Sequence, residues 1–330
     1  MTSLINEIVM SYILKQVNVQ VYILIIDQIV EEFRIIFFTI SKNSSNSNLS
    51  QILKEFHEFV DVFSKKKVDK LSSHHFFDYR IKFIKNAKSF QEFIYNLSSI
   101  KLEAFQKYVD EHFKKNFIKH FHSQFSASIL FVKKVDDFLC FYIDYWDFNK
   151  IMIKNKYSLF LIKELFKSIH EIKRFIKFDV QDEFNILQIT SSEEYKIVFR
   201  CRYDFFEYNV MFFDLCNASN SFQRFINEIF HDFIDDFIVI YLNDILIYFK
   251  NARKHHHYVH LIFEWFQVVE IHFKSFKYIF DAEKINFLDY IINEKEIDMN
   301  SFKINFIVSW FQSKFIHDVR IFLKFVNFYW

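Results

Sequence analysis

The stretch Phe237-Ile238-Val239-Ile240-Tyr241-Leu242-Asn243-Asp244-Ile245-Leu246-Ile247-Tyr248-Phe249 sets two apolar, β-prone runs on either side of the polar pair Asn243-Asp244. β-Branched and aromatic residues favour a pleated surface, and a polar break between two such runs reads as a hairpin with a polar tip. A carboxylate among residues that want burial is costly unless it is paired or binds a cation. A second carboxylate in the same predicament lies upstream, in Ile176-Lys177-Phe178-Asp179-Val180. Acidic groups on two neighbouring strands are what a hard cation such as Mg²⁺ takes as ligands. Single aspartates also cap strands or face water at turns, and spacing alone leaves both readings open.

Outward from the hairpin, the texture is mixed. Short β-prone runs occupy Ile129 to Val132, Leu139 to Ile143, Phe175 to Val180 and Lys196 to Phe199. Apolar residues at helical spacing mark Ile52 to Phe63, Ser99 to Phe117 and Ser219 to Phe233. The pattern predicts an α+β fold, an antiparallel sheet covered by helices. A Ser/Asn-rich linker, Ser41 to Asn48, is the clearest boundary. The organisation read from the chain is an N-terminal segment with this linker (1–50), a helical lead-in (51–125), a central α+β domain (126–292) and a C-terminal segment (293–330).

Composition adds one strong anomaly. The 330 residues contain 0 Gly and 0 Pro, while Phe reaches 49. Ordinary usage predicts roughly 40 Gly and Pro residues in a chain this long. Glycine reaches φ > 0 without steric cost and proline presets turn angles, so the usual punctuation of turns is gone. The formal net charge of +1 gives no bulk pull toward nucleic acid or membrane. The 3 cysteines, Cys140, Cys201 and Cys216, form no CxxC pair, which fits a reduced intracellular protein. Glu7 and the lack of a basic start argue against a secretory signal. The apolar run Val19 to Val30 carries Gln20, Asp27 and Gln28 and is too short to span a bilayer, so no membrane partner is expected.

Tyr241-Leu242-Asn243-Asp244, with its Ile-rich flanks, resembles the Tyr-x-Asp-Asp hairpin of reverse transcriptases. The surrounding text resembles the polymerase of gypsy-type LTR retrotransposons. The blocks run in order through Glu55 to Ser64, Leu130 to Lys134, Ile143-Asp144-Tyr145 with Asn149-Lys150, Phe205 to Tyr208, Asn217-Ala218, Phe222 to Asn227, Tyr241 to Tyr248 and Asn327-Phe328-Tyr329. The resemblance implies a right-hand polymerase, with fingers and palm over 126–292 and the start of the thumb or connection over 293–330. It implies an RNA-directed DNA polymerase that takes an RNA or DNA template with primer and a dNTP. Asp179 matches the first catalytic aspartate and Asp244 the last; with the carbonyl of Val180 they would hold two Mg²⁺ ions. Phe184 matches the gate that rejects a ribose 2′-hydroxyl, and reads equally as a core aromatic. Lys134 matches a fingers lysine on the triphosphate, and reads equally as a solvated lysine. Phe213 matches the phenylalanine of a nucleotide-pocket motif. Gln223 and Arg224 fall in the helix behind that pocket, in a supporting role.

The departures from the family pattern fall on functional positions. Asn243 stands where the family has the middle aspartate and brings no charge to a cation. Met211-Phe212-Phe213-Asp214-Leu215 replaces Met-Pro-Phe-Gly-Leu. Cys140 and Trp146 replace arginines, and Asp289 replaces the glycine of the primer-grip hairpin. With Lys324, Phe311, Ser219 and Ser313, these changes share a direction, since each is reachable by C-to-T changes on one DNA strand or the other. Such a bias removes Gly and Pro codons completely. The expectation is an eroded copy, inactive or severely impaired, with non-Gly residues forced into φ > 0 turns; a non-catalytic nucleic-acid-binding remnant or a functionless translated fragment are the alternatives. His255-His256-His257 reads as surface, because consecutive helix residues point in different directions. Erosion predicts independently damaged sibling copies. An AT-rich genome under selection predicts an intact aspartate at position 243, and Asn243 counts against it; sequencing sibling copies tests the erosion.

Overall fold

The computed structural model describes residues 58–59, 62–63, 69–90, 94–121, 123–133, 139–157, 161–202, 204–249, 252–273, 279–310 and 315–329. The N-terminal segment, the linker, most of the Ile52 to Phe63 helix and Lys134 lie outside them. The described chain divides into two compact units. One takes residues up to Leu159, Val180–Ile229 and Phe263–Phe276; the other takes Phe160–Asp179, Phe230–Ile262 and the chain from Lys277 on.

The first unit begins with helix α1 (Ser99–Lys114), which buries Phe105 and Val109 at i, i+4 spacing. Lys107 pairs with Glu103 and Lys115 with Glu111 along its wet face. Asn116, at φ 58°, stops the helix in the left-handed conformation that a C-terminal glycine ordinarily supplies. Strands β1 (Ile118–His120), β2 (Ala127–Lys133) and β3 (Leu139–Ile143) follow, then the short helix α2 (Trp146–Ile151). With β5 (Val198–Arg200) and β6 (Phe205–Tyr208), they form a five-stranded sheet in the order β1-β6-β5-β2-β3. Helix α4 (Ala218–Ile229) buries Phe222, Phe225 and Ile226.

The second unit holds helix α3 (Ile162–Ser168), strand β4 (Arg174–Asp179), the hairpin β7 (Ile238–Tyr241) and β8 (Asp244–Phe249), and β9 (Ile279–Ala282). These strands form an antiparallel sheet in the order β7-β8-β4-β9. A second antiparallel sheet joins β10 (Lys284–Phe287), β11 (Tyr290–Asn293) and β12 (Ile297–Met299). Helix α5 (Ala252–Val268) follows β8 in the chain, and α6 (Ser301–Val308) and α7 (Ile316–Tyr329) come last.

The four-stranded sheet is apolar on both faces, which explains its unbroken runs. Residues opposite one another in the ladder share a face. Ile176, Phe178, Ile238, Ile240, Ile245 and Ile247 are buried on one. Phe175, Val239, Leu246 and Tyr248 lie on the other, in a core with Leu165, Ile169, Ile172, Ile285, Phe287, Leu288 and Ile292. No helix among the described residues is long and apolar enough to cross a membrane.

Most expected elements are present, with small shifts. Lys196 belongs to a 3₁₀ turn and the strand there begins at Val198. The helix expected to reach Phe233 ends at Ile229. The φ > 0 residues are Asn86, Asn116, Glu171, Asp182, Ser192, Asp235, Leu242, Glu270, Asp281, Leu288 and Asp289. Asp and Asn tolerate this conformation through local hydrogen bonding; Glu, Ser and Leu carry the fuller cost of about 1–2 kcal/mol each. No lysine is among these positions in the described residues. Glu171 is the cleanest test, since it sits at φ 63° with its side chain 80% exposed. Glu171→Gly is expected to raise unfolding free energy by about 0.5–1 kcal/mol after the glycine's own entropy cost, measured by urea denaturation; an unchanged or lower value contradicts the strain.

Candidate active site

Strand pairing places the two sequence-predicted carboxylates opposite each other. In the β4–β8 ladder Asp179 is the register partner of Asp244, and in the β7–β8 hairpin Tyr241 partners Asp244. The loop between β7 and β8 is therefore Leu242-Asn243, and Asp244 is the first residue of β8, one step inside the expected tip. Leu242 takes φ 52°, the left-handed geometry that a tight two-residue hairpin loop demands. Asp179 is 8% exposed, while Asn243 and Asp244 are half-buried. Asp179, Asn243 and Asp244 thus meet at one end of a sheet whose interior is otherwise hydrocarbon.

Two carboxylates directly across a ladder repel. At about 5 Å and an effective dielectric near 20 the repulsion is roughly 3 kcal/mol. The offsetting charge comes from the same strand. Lys177 lies two residues before Asp179, on the same face, and its Nζ is 2.9 Å from Asp244 Oδ1. The same ammonium donates to the backbone carbonyl of Asn286 in β10 at 3.3 Å and lies 5.9 Å from the centre of the Phe287 ring. One side chain therefore ties the carboxylate end of the sheet to the neighbouring hairpin. Sequence reading missed Lys177, although a lysine inside the run Phe175 to Val180 is as anomalous as the aspartate it precedes.

The hairpin that Lys177 touches is the one the resemblance assigns to the primer. Its loop is Leu288-Asp289, at φ 51° and 67°, joining the register partners Phe287 and Tyr290. Two successive positive φ values define the type I′ turn that glycine ordinarily favours. Asp289 does more than occupy glycine's place at a cost. Its carboxylate lies 3.2 Å from Lys303 Nζ in α6, and its carbonyl accepts from the Asn300 amide. Burial holds the Lys303 ammonium below the ordinary lysine range, and the Asp289 charge opposes that shift.

The other expected site residues lie in the first unit. Val180 is buried and bridges to Phe273. Phe184 is half-buried with its ring 6.5 Å from that of Phe222. Phe213 packs against Phe212 and Tyr142. Phe212, in place of a family proline, is buried against Tyr145 and Tyr208, so the core has absorbed it. Trp146 carries Lys150 over its ring. Gln223 is buried and donates to Asn227, which donates to the Tyr157 hydroxyl, a supporting role; Arg224 is exposed. His257 is exposed, and the side chains of His255 and His256 lie outside the described residues.

This donor set does not fit a pair of divalent cations. The hairpin offers one carboxylate, Asp244, and a neutral amide, β4 adds Asp179, and Asp244 is already engaged by an ammonium. Among the described residues no group of three or more His, Cys, Asp or Glu side chains is placed to hold a metal ion.

Residues 133–292 match the family described as reverse transcriptase (RNA-dependent DNA polymerase). The chain is 28% identical over 234 residues to the Transposon Tf2-3 polyprotein of Schizosaccharomyces pombe (strain 972 / ATCC 24843), and equally to the Tf2-7 polyprotein. The match covers 71% of this chain and 18% of each polyprotein, so the chain spans less than a fifth of those relatives. In fold it is similar to a foamy viral protease-reverse transcriptase in complex with RNA/DNA hybrid, at TM-score 0.71 and 14% identity, over 87% of this chain and 38% of that one. The same viral enzyme in complex with dsDNA gives TM-score 0.71 and 15% identity, over 87% of this chain and 60% of that one. The α+β fold is thus of the polymerase fingers and palm type.

Asp289→Asn keeps a residue that tolerates φ > 0 and removes the charge facing Lys303. It is expected to lower unfolding free energy by about 1–2 kcal/mol, read by thermal and denaturant melts. A neutral result would return Asp289 to the status of a glycine lost at a cost.

Proposed function

Because this chain carries a reverse transcriptase region of LTR-retrotransposon type, we propose that it is an RNA-directed DNA polymerase domain by descent whose nucleotidyl transfer is severely impaired. Its substrates by descent are a dNTP and a primer on an RNA or DNA template, and its setting is intracellular. The chemistry joins the primer 3′-hydroxyl to the α-phosphate and releases pyrophosphate. Such transfer depends almost entirely on positioning and on neutralising the charge that develops on the phosphates.

The observation that carries the reading is the composition of the hairpin: Asn243 has no charge, and Asp244, the only carboxylate left in the Tyr-x-Asp-Asp element, is held by Lys177. The surrounding substitutions support it. Asp214 sets an anion where the family has glycine, and Cys140 and Trp146 remove arginine charge that would otherwise meet phosphate. Phe184 is the residue proposed to reject the ribose 2′-hydroxyl. The fold itself argues for loss of chemistry within a retained scaffold, since the carboxylates still meet across the ladder.

The test is Mg²⁺-dependent extension of oligo(dT) on poly(rA), with the unmodified chain beside Asn243→Asp. The unmodified chain is expected to incorporate no dTTP above background. Incorporation by the revertant alone would localise the loss to one carboxylate. Extension by the unmodified chain would overturn the proposal.

A further inference from the structure

The cation site suggested by the sequence contains a cation of its own. Asp179 and Asp244 face one another across β4 and β8, and Lys177 reaches along that face to set Nζ 2.9 Å from Asp244 Oδ1. The side chains of Lys177 and Asp244 are only 19% and 22% exposed, so water screens the pair weakly. The ammonium is also fixed from a second direction by the Asn286 carbonyl. An aspartate at position 243 would add a third negative charge to this end of the hairpin; Asn243 does not. Asp244 is thus already paired with an ammonium, which a strongly hydrated divalent ion would have to displace.

We infer that Lys177 is the built-in counter-ion of Asp244, and that a divalent cation binds Asp244 only by displacing the lysine ammonium. Displacement also releases the ammonium from Asn286, so cation binding and the tie between β4 and β10 exclude each other. The inference rests on the proposed function only in taking this hairpin as the ancestral cation site. It concerns cation binding rather than polymerisation.

Mn²⁺ is the probe, with free ion counted by electron paramagnetic resonance during titration of the folded chain. Lys177→Gln is expected to bind Mn²⁺ at least tenfold more tightly than the unmodified chain, and Lys177→Arg to stay weak. Adding Asp244→Asn to Lys177→Gln is expected to abolish the gain, which locates the site. Equal or weaker binding by a folded Lys177→Gln overturns the inference. A measurement on the unmodified chain guards against misfolded variants: amine labelling of Lys177, followed by mass spectrometry, should accelerate severalfold at saturating Mn²⁺. Labelling unchanged by bound Mn²⁺ overturns the inference equally. Because neither readout involves primer extension, an active Asn243→Asp enzyme with unchanged Lys177 behaviour would sink this inference alone, and a polymerising unmodified chain would sink the functional proposal alone.

Discussion

The opposition of Asp179 and Asp244 across the β4–β8 ladder is the constraint around which the second unit is arranged. The register that brings them together is set by hydrocarbon. A shift of one residue would turn Phe175, Leu246 and Tyr248 out of their core and bring Ile176, Ile245 and Ile247 into it. Because both faces are apolar, the sheet end is where charge can reach water, and the carboxylates stand there. Their repulsion is then offset within the same strand by Lys177. Folding energetics and site electrostatics meet here in the Lys177–Asp244 ion pair at 2.9 Å.

A chain without glycine must still make tight turns. It does so with Asp and Asn at Asn86, Asn116, Asp182, Asp235, Asp281 and Asp289, and with bulkier residues at Glu171, Ser192, Leu242, Glu270 and Leu288. Each bulkier position costs about 1–2 kcal/mol, against a net stability of about 5–15 kcal/mol for an ordinary domain. The hairpin loop Leu288-Asp289 shows how such a position can be recovered. Leu288 joins the core as its backbone turns, and Asp289 finds Lys303. A tight turn made without glycine and its compensation by packing are therefore visible at the same two residues.

Much of the fold was legible because its strongest elements announce themselves locally. The runs around Asp179 and Asp244 combine β-branched residues with a single misplaced charge, and both the hairpin and the strand facing it follow from that. The helix Ser99–Lys114 was legible from its period, though its end at Asn116 was not, because no glycine marks it. Strands β9 and β12 escaped notice, and the β10–β11 hairpin was expected only through the resemblance, at Asp289, for the same reason: short strands are recognised by the turns between them, and turns built from Leu-Asp or Asn-Glu lack the usual signature. Lys177 escaped because its role depends on which strand lies beside β4. That pairing joins residues more than sixty positions apart, which local pattern does not encode.

The proposals above turn on whether Lys177 or a divalent cation holds Asp244 when both are available. Anomalous scattering from crystals of the unmodified chain grown in MnCl₂ tests this most directly. The expected map has Lys177 Nζ in contact with Asp244 and no manganese peak between Asp179 and Asp244. A manganese peak on Asp244 with Lys177 Nζ still in contact with that carboxylate would contradict it.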